Sequence, residues 1–505
     1  MSNAQADYQS LIAELKQIAL LRSVSSVLGW DERTCMPAGG ATLRSQQSSM
    51  LARMIHERIT APVIGDLLSS IEGSELVKDS ASDAAVNVRQ TRRQYQRAIR
   101  LPAALVEELA RTEVLAEQAW AESRAKNDFA SFQPWLEKML VLKRRQAECL
   151  RLGNSAYDAL LDEFEPLETL ANLRRVFESL RQPLIELVAK IVDSGRAAPV
   201  EILEREYPAA AQAELARQAA AAVGFDFKSG RLDVSVHPFS TGIGPGDSRI
   251  TTRYDERYFG DAFFGVLHES GHAMYSQGLL AEHFGTPRGR EVSLGIHESQ
   301  SRLWENLVGR SKAFWEFFYP KAQAAFPAAT RDVSLQSWYF AVNDVRPSLI
   351  RTESDEVTYN LHVLLRFELE QALLADDIRP ADLPAAWNEK MKKYLGIIPP
   401  DDTRGCLQDI HWSGGAIGYF PTYTLGNLYA AQFFEQAKDE MPRLEENFAR
   451  GDFSTLLGWL RKNIHSQGMK FTASELVKKI TGRELSSEPL LNHLRKKSSE
   501  LYGVA

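Results

Sequence analysis

The chain has 505 residues, of which 44% are hydrophobic and 25% are charged, and this composition is typical of a globular protein with a large core. The formal net charge of −7 is small for the length and argues against a dedicated nucleic-acid-binding or membrane-surface protein. The three cysteines, Cys35, Cys149 and Cys406, have no metal-ligand spacing. No signal-peptide pattern and no apolar run of membrane length is found, so we expect a reduced, cytoplasmic protein.

Residues 5 to about 195 are predicted to form amphipathic helices, because apolar residues recur at helical spacing, as at Leu105 and Leu109. A connector rich in small residues follows at 194–199. Five arginines cluster on the helix that ends before Pro102, and they indicate a solvated face or, alternatively, one wall of a groove that attracts carboxylates. The residues of this arginine cluster are Arg89, Arg92, Arg93, Arg97 and Arg100.

Two short segments of alternating apolar and polar residues come next, at 232–237 and 249–254. A stretch that includes Gly242, Gly244 and Gly246 separates them. Alternation with period two predicts strands, and this order predicts a hairpin or two edge strands. From Gly260 onward the pattern is helical again, so we expect a mostly α protein with a small antiparallel β element beside the next helix.

That next helix contains His268-Glu269-Ser270-Gly271-His272. Positions i and i+4 share one helix face, so His268 and His272 can bind a single zinc ion, while Glu269 is directed at a water rather than at the metal. Gly271 costs about 1 kcal/mol relative to Ala inside a helix, which suggests that another backbone or a substrate approaches closely there. The pattern predicts a zinc peptidase; the alternative is a core helix with two satisfied histidines.

A catalytic zinc also needs a third protein ligand. Tyr275 and Gly278 occupy the positions at which one subclass has its glycine and its third histidine, which excludes that subclass. Three glutamates of the following segment remain as candidates, namely Glu291, Glu298 and Glu305, which are seven residues apart and therefore lie on one helical face. Spacing alone does not choose among them.

Six segments, in the same order along the chain, resemble the thermostable metallocarboxypeptidases of the carboxypeptidase Taq type. They are His-Pro-Phe (237–239), Asp-Ser-Arg-Ile-Thr (247–251), His-Glu-Ser-Gly-His (268–272), His-Glu-Ser-Gln (297–300), Ile-Arg-Thr-Glu-Ser-Asp (350–355) and Gly-Cys-Leu-Gln-Asp-Ile-His-Trp (405–412). Segments at 30–37 and 418–423 are also similar to the family. One departure is Ser354, where the family pattern has alanine; this exchange leaves Arg351 and Asp355 in place.

The resemblance implies that Glu298 is the third ligand beside His268 and His272. It implies a helical gluzincin fold with a deep substrate groove, in which residues 1–505 form one catalytic unit. Residues 1–195 would be an N-terminal helical lobe and lid, and 196–505 the metal-site lobe. The expected activity is that of a zinc-dependent metallocarboxypeptidase, with cobalt as a possible metal. It would act as a homodimer and release single C-terminal residues from peptides with broad specificity, by attack of a metal-bound water with Glu269 as general base.

A carboxypeptidase must recognise a free carboxylate, and arginine does so best through a bidentate pair. The resemblance makes Arg351 the first candidate and Arg249 the second. The alternative for Arg351 is a structural ion pair with Glu353 or Asp355.

A donor for the tetrahedral oxyanion is also expected. Its candidates are His411, Tyr419 and Tyr423, from segments that line the groove in the family; as an alternative, the tyrosines simply pack.

Two other functions share some of these features. A zinc endopeptidase or oligopeptidase would have the same metal site but no carboxylate clamp. A helical peptide-binding scaffold with structural zinc would normally use four protein ligands, often cysteines. The distance of the cysteines from the motif and the presence of Glu269 favour the enzyme.

Overall fold

The computed structural model describes residues 3–504, and this part of the chain is mostly α-helical. Its first half is built from long helices, and α1 packs against both α2 and α3 while α5 pairs with α6. These helices are α1 (Asn3–Thr34), α2 (Ala41–Ile59), α3 (Pro62–Ile71), α4 (Asp83–Ile99), α5 (Ala103–Lys126), α6 (Phe129–Leu150), α7 (Ala156–Leu161), α8 (Leu170–Asp193) and α9 (Ala209–Val223).

Local sequence signals explain where several of these helices begin and end. Ser82 precedes α4, and its hydroxyl accepts a hydrogen bond from the Ala85 amide at 3.2 Å, which satisfies one of the free donors at a helix start. Thr169 caps α8 in the same way. Pro102 stands directly before α5, and Gly224, in a left-handed conformation, follows α9.

The predicted β element is present as a three-stranded sheet with the strand order β1-β3-β2. The strands are β1 (Gly230–Val234), β2 (Ser240–Gly244) and β3 (Asp247–Thr252). Strands β2 and β3 form an antiparallel hairpin around Gly246, which has a φ of 82°. Strands β1 and β3 pair in parallel, with Leu232 opposite Ile250.

The expected small antiparallel β element is present as the β2-β3 hairpin, but β1 adds a parallel pair that was not expected, so the sheet is mixed. Gly242 and Gly244, which suggested a turn, lie in strand β2, and the second predicted strand is the central one rather than an edge. Alternation along a strand shows that one face is buried but carries no information about its pairing partner. Strand β3 packs against the next helix, so the sheet does lie beside the predicted metal helix.

The second half of the chain returns to helices, as predicted. The helix that carries His268 and His272 is central, because it contacts α9, strands β2 and β3, and the helix that follows it. These helices are α10 (Gly260–Gly278), α11 (Leu294–Arg302), α12 (Lys312–Ala325), α13 (Leu335–Ala341), α14 (Thr358–Leu374), α15 (Leu383–Leu395), α16 (Pro421–Glu440), α17 (Leu444–Ala449), α18 (Ser454–Asn463), α19 (Ala473–Thr481) and α20 (Glu488–Tyr502).

One principal hydrophobic core runs from Phe129 in α6 to Tyr502 in α20. A separate small core lies among α1, α3 and α4, where its buried residues are Leu11, Ile64, Leu68, Ile71 and Val88. The N-terminal helices α1 to α4 are thus joined to the rest of the protein mainly through surfaces outside the principal core. Among residues 3–504, no helix combines the length and the apolar character needed to cross a membrane.

Candidate metal centre

Helix α10 is apolar on most of its surface, and most of its side chains are buried in the interior of the protein. Phe263, Phe264, Val266 and Leu267 are all buried, so the helix cannot rotate without exposing them. This packing turns the face of His268 and His272 toward helix α11. Burial of these apolar side chains therefore fixes the direction of the two imidazoles.

Helix α11 is held at its first turn by a buried carboxylate from the N-terminal half. Ser293 caps the helix, and Glu165 accepts hydrogen bonds from the Ser293 hydroxyl at 2.9 Å and from the Gly295 amide at 3.0 Å. Tyr429 of α16 donates a third bond to Glu165 at 3.1 Å. These three hydrogen bonds tie the start of α11 to the N-terminal half of the chain and to α16, so Glu165 helps to place α11 and the Glu298 side chain one turn further along.

The two glycines that flank α11 allow the three helices to approach closely. A Cβ on Gly271 of α10 would lie 2.5 Å from the carbonyl oxygen of Gln300 and 2.6 Å from Cα of Ser301. A Cβ on Gly426 of α16 would lie 2.4 Å from Cγ of Glu298. The expectation that another backbone approaches Gly271 is thus confirmed, and that backbone belongs to the helix that carries Glu298.

His268, His272 and Glu298 converge. Their potential ligand atoms all lie within 4.8 Å of one another. Oε2 of Glu298 is 3.7 Å from Nε2 of His268 and 3.3 Å from Nε2 of His272. Ligand atoms about 2.1 Å from a tetrahedral zinc ion are roughly 3.4 Å apart, so this set of two imidazole nitrogens and one carboxylate oxygen fits a metal ion.

The other two glutamate candidates have different positions. Glu305 accepts a hydrogen bond from Nδ1 of His268 at 2.8 Å, whereas Glu291 lies 3.9 Å from Nε2 of His297. Nδ1 of His272 is 2.5 Å from Nδ1 of His297. Both His268 and His272 thus direct Nε2 at Glu298 and use Nδ1 to bind a second residue, the arrangement that orients metal-binding histidines.

Arg302 balances the charge of the carboxylates. Its Nε lies 2.7 Å from Glu298 and its Nη1 lies 3.3 Å from Glu305. Burial alone would raise the pKa of Glu298, but Arg302 and the neighbouring histidines outweigh burial and hold that pKa well below its ordinary value. Glu298 is therefore ionised, as a metal ligand must be.

Glu269 differs from Glu298 because Arg302 pairs with Glu298 and Glu305 and not with Glu269. Its side chain is buried, and burial raises its pKa from the ordinary 4.5 to about 7, with a further contribution from the charge of Glu298. A carboxyl group with a pKa near neutrality can both accept and return a proton at physiological pH. The same helix thus carries an imidazole pair and, between them in sequence, a group suited to proton transfer.

Arg351 lies in a buried cluster next to the metal centre. Its Nε and Nη2 both donate to Oδ1 of Asp409, at 3.0 and 2.8 Å, and its Nη1 donates to the Tyr359 hydroxyl at 3.1 Å. Arg302 stacks on the Tyr359 ring at 4.3 Å, which connects this cluster to Glu298. The ion pair that we considered as an alternative does exist, but its partner is Asp409 rather than Glu353 or Asp355.

A second arginine shares the same carboxylate. Nε and Nη2 of Arg366 lie close to Asp409 and Gln408, and its Nη2 is 2.6 Å from Oδ2 of Asp409. Two buried guanidinium groups thus face one carboxylate, so Arg351, Arg366 and Asp409 together carry a net charge of +1. Arg249 differs, because Asp247 pairs with it in a bidentate ion pair at 2.8 and 2.9 Å and cancels its charge.

The three oxyanion candidates lie together beside this cluster. Nε2 of His411 is 3.1 Å from the Tyr423 hydroxyl, and the rings of Tyr419 and Tyr423 are 5.4 Å apart. Burial raises the pKa of both tyrosines, and the charge of Glu298 raises each further. Both phenols are therefore protonated donors near the metal centre. The tyrosines do more than pack, because their hydroxyls also take part in hydrogen bonds.

The arginines of the cluster on α4 and at its C-terminal end bind different partners. Arg93 and Arg97 both pair with Asp162, at 2.6 and 3.3 Å, and line a cavity of about 560 Å³. Arg92 pairs with the half-exposed Glu72. The remaining two, Arg89 and Arg100, donate to backbone carbonyls. Part of the cluster thus forms a groove wall, and the rest is structural.

Several residues of the site could not be singled out from the sequence. Glu165, Tyr359 and Asp409 each act across a long sequence separation, and no local pattern predicts such contacts. Arg302 is different, because it follows Glu298 by four residues and precedes Glu305 by three, a helical spacing that favours both ion pairs. His297 and Asp409 do lie in segments that carried the family resemblance, which was the one signal available for them.

A buried His-Glu-x-x-His helix with a third carboxylate from a following helix defines a class of proteins, the metallopeptidases. The sequence profile of the family "Carboxypeptidase Taq (M32) metallopeptidase" matches residues 10–498. The chain is 49% identical to Thermostable carboxypeptidase 1 of Thermus thermophilus, over 99% of both chains. It is 37% identical to Carboxypeptidase 1 of Bacillus subtilis, over 97% of both.

The fold agrees with these relatives. The crystal structure of the M32 carboxypeptidase from Deinococcus radiodurans R1 matches with a TM-score of 0.96 and 40% identity, covering 99% of this chain and 100% of that one. The chain therefore belongs to the carboxypeptidase Taq (M32) family of metallopeptidases and is a metallocarboxypeptidase. The resemblance and the enzyme class predicted from the sequence are both confirmed.

Proposed function

We propose that the protein is a zinc-dependent carboxypeptidase that removes single residues from the C-terminus of peptides with broad side-chain tolerance. The observation that carries the proposal is the convergence of His268, His272 and Glu298, with the buried Glu269 beside them. Two imidazoles and one carboxylate are a ligand set typical of catalytic zinc, and cobalt can be bound by the same atoms. When bound, the ion supplies a Lewis acid and lowers the pKa of water from about 15.7 to near 7.

Glu269 is proposed as the general base and then the general acid. Its carboxylate takes a proton from the attacking water and delivers it to the nitrogen of the leaving amino acid. The pKa of about 7, raised by burial, places both protonation states within reach at neutral pH. The nearby Arg302 pairs with Glu298 and Glu305 rather than with Glu269, which leaves the Glu269 carboxylate available for this transfer.

Tyr419, Tyr423 and His411 are proposed to stabilise the oxyanion. A neutral phenol donates a hydrogen bond, and both phenols are neutral because their pKa values are raised. Burial lowers the pKa of His411 to about 4, so His411 is also neutral at pH 7. It then serves best as a hydrogen-bond partner that orients Tyr423, 3.1 Å away.

Arg351 is proposed to bind the C-terminal carboxylate of the substrate, with Arg249 as the weaker candidate. The net charge of +1 on Arg351, Arg366 and Asp409 supports this choice, because a buried positive charge is stabilised by an incoming carboxylate. Arg249 already has its charge cancelled by Asp247. Arg351 also lies within 4.9 Å of the Tyr423 ring, next to the proposed oxyanion donors.

Three further properties are proposed. The protein acts in the cytoplasm and as a homodimer. Residues 1–195 form the helical lobe and lid of a single catalytic unit, and residues 196–505 form the metal-site lobe. The position of α1, α2 and α4 along one wall of the groove supports the assignment of a lid to the N-terminal helices.

The test is a pair of peptides that differ only at the C-terminus, one a free acid and the other an amide. Mass spectrometry over time should show stepwise loss of single residues from the free acid and no cleavage of the amide. Zinc should restore activity after chelation, and cobalt should do so as well. Internal cleavage of both peptides would contradict the proposal and favour an endopeptidase with the same metal site.

A further inference from the structure

Two adjoining cavities lie between the N-terminal helices and the segment that leads into α11. Their volumes are about 260 and 560 Å³. Both are lined by Arg22 of α1, Gln94 of α4, and Arg290 and Glu291. The larger cavity also reaches His297, whose ring contacts the proposed metal ligand His272. A peptide entering these cavities would therefore approach the metal centre past two arginines.

Neither arginine has a counterion. Among residues 3–504, no carboxylate oxygen lies within 4.0 Å of the guanidinium nitrogens of Arg22 or Arg290, and Arg290 donates one hydrogen bond, to Gln94 at 3.2 Å. Both residues are partly buried, and charged groups that lose part of their hydration are normally paired. Arg22 and Arg290 line the same two cavities, where burial lowers the pKa of Arg22 to about 10 and the charge of Arg290 lowers it further.

The acidic groups that line the same cavities either pair with other basic residues or are too few to neutralise Arg22 and Arg290. Asp162 is bound by both Arg93 and Arg97, and Glu163 by Arg97. Glu291 lies near His297, at 3.9 Å. Arg22 and Arg290 together carry two positive charges, and Glu291 supplies at most one negative charge nearby. The junction of the two cavities is thus positively charged and lacks one anion.

We propose that Arg22 and Arg290 form a carboxylate-binding subsite of the substrate groove, filled by a carboxylate of the peptide itself. The proposal rests on the proposed function, because it requires that peptides enter this groove. Two guanidinium groups can each donate paired hydrogen bonds to a carboxylate. The carboxylate can come from an acidic side chain of the peptide or from its free C-terminus, and the following experiment separates these two sources.

Binding is measured by calorimetry in the metal-loaded Glu269→Gln protein, so that the peptides are not consumed. The ligands are three peptides of equal length: one with an internal Glu and an amidated C-terminus, one with Gln in its place and a free C-terminus, and one with Gln and an amide. The variants are Arg22→Gln, Arg290→Gln and the two together. The matched control is Arg53→Gln, since this arginine of α2 is 71% exposed and pairs only with Glu57.

Each single arginine-to-glutamine substitution should weaken binding of the peptide whose carboxylate occupies the subsite by roughly 10- to 100-fold, the usual effect of losing a charged hydrogen bond. A loss confined to the Glu peptide assigns the subsite to an acidic side chain. A loss confined to the peptide with the free C-terminus assigns it to the terminal carboxylate. Equal affinities in the variants and the Arg53→Gln control, or a loss shared by the peptide without any carboxylate, overturn the proposal.

Lysine substitutions guard against a trivial loss of folding. Arg22→Lys and Arg290→Lys keep the charge and should recover part of the affinity that the glutamine variants lose. The readout is also independent of turnover. If the wild-type protein binds the carboxylate peptides selectively but never trims them, the subsite stands and the proposed activity fails.

Discussion

His268 and His272 each use both ring nitrogens, and this double use defines the centre at the scale of single residues. Nε2 of each ring faces Glu298, while Nδ1 contacts Glu305 or His297. Contacts on both sides of each ring fix its orientation, so little reorganisation is needed when a metal ion binds. Two predictions follow at this scale.

Glu269→Gln removes the proposed proton acceptor but keeps the shape and volume of the side chain. We expect kcat to fall by about 10²- to 10⁴-fold, the typical contribution of a general base, with metal content unchanged. Peptide-trimming rates and metal analysis of the purified protein measure both. Glu57→Gln, at a side chain that is 67% exposed, is the control and should keep full activity. A Glu269→Gln enzyme as fast as the wild type would exclude the proposed mechanism.

Glu305→Gln removes the charge that orients His268. We expect metal affinity to fall by roughly 10- to 100-fold, as for other residues that hydrogen-bond a ligating histidine. Activity should return largely at saturating metal, because the three ligands themselves remain. A metal titration of activity gives the apparent affinity. An unchanged titration curve would show that the contact at 2.8 Å has no part in metal binding.

At the scale of elements, the important arrangement is the stack of α10, α11 and α16. Small residues at the crossings allow backbone atoms to touch, and Glu165 ties the start of α11 to both the N-terminal half and α16. The position of Glu298 depends on this stack, since α11 is only nine residues long. Changes in helix packing should therefore be felt at the metal.

Gly271→Ala tests the crossing of α10 and α11. Helix propensity alone would favour Ala by about 1 kcal/mol, but the new Cβ would meet backbone atoms at 2.5 and 2.6 Å, and backbone cannot move as a side chain does. We expect a net loss of about 1–3 kcal/mol of stability and weaker metal binding. In the control Gly458→Ala, no atom lies within 4 Å, so stability should rise. Denaturant unfolding measures both variants.

Glu165 gives a pH dependence with a defined sign. Burial raises its pKa to about 7 in the folded protein, above the ordinary 4.5. The folded state therefore favours protonated Glu165, so its contribution to stability is complete below pH 4.5 and is lost as the pH rises through 7. Glu165→Gln cannot ionise, so its stability should decline less than that of the wild type from pH 5 to pH 8, by on the order of 2–3 kcal/mol. Unfolding curves at both pH values give the difference; parallel declines would contradict the assignment.

At the scale of the whole molecule, the metal centre joins α10 and α11 inside the principal core. A ligand that binds only the folded state stabilises it by RT ln(1 + [L]/Kd), about 4 kcal/mol at a free concentration 1,000 times the Kd. Chelation of the metal should therefore lower the melting temperature, and added zinc should restore it. Glu298→Gln, which lacks one ligand, should respond much less. An equal response in both proteins would place the stabilising ion elsewhere.

Local sequence patterns by themselves determined the helical fold class and the two imidazoles with the glutamate between them. These features depend on periodicity and on spacing within one helix, and both are set by neighbouring residues. The resemblance to a family added Glu298, which spacing could not separate from Glu291 and Glu305. Tertiary structure alone decided that β1 and β3 pair in parallel and that Asp409 is the partner of Arg351. It also decided that Arg22 and Arg290 line the same two cavities, with no carboxylate of residues 3–504 within ion-pairing distance of either. Such contacts join residues far apart in the chain, and their free energy depends on how whole elements pack, which no local pattern encodes.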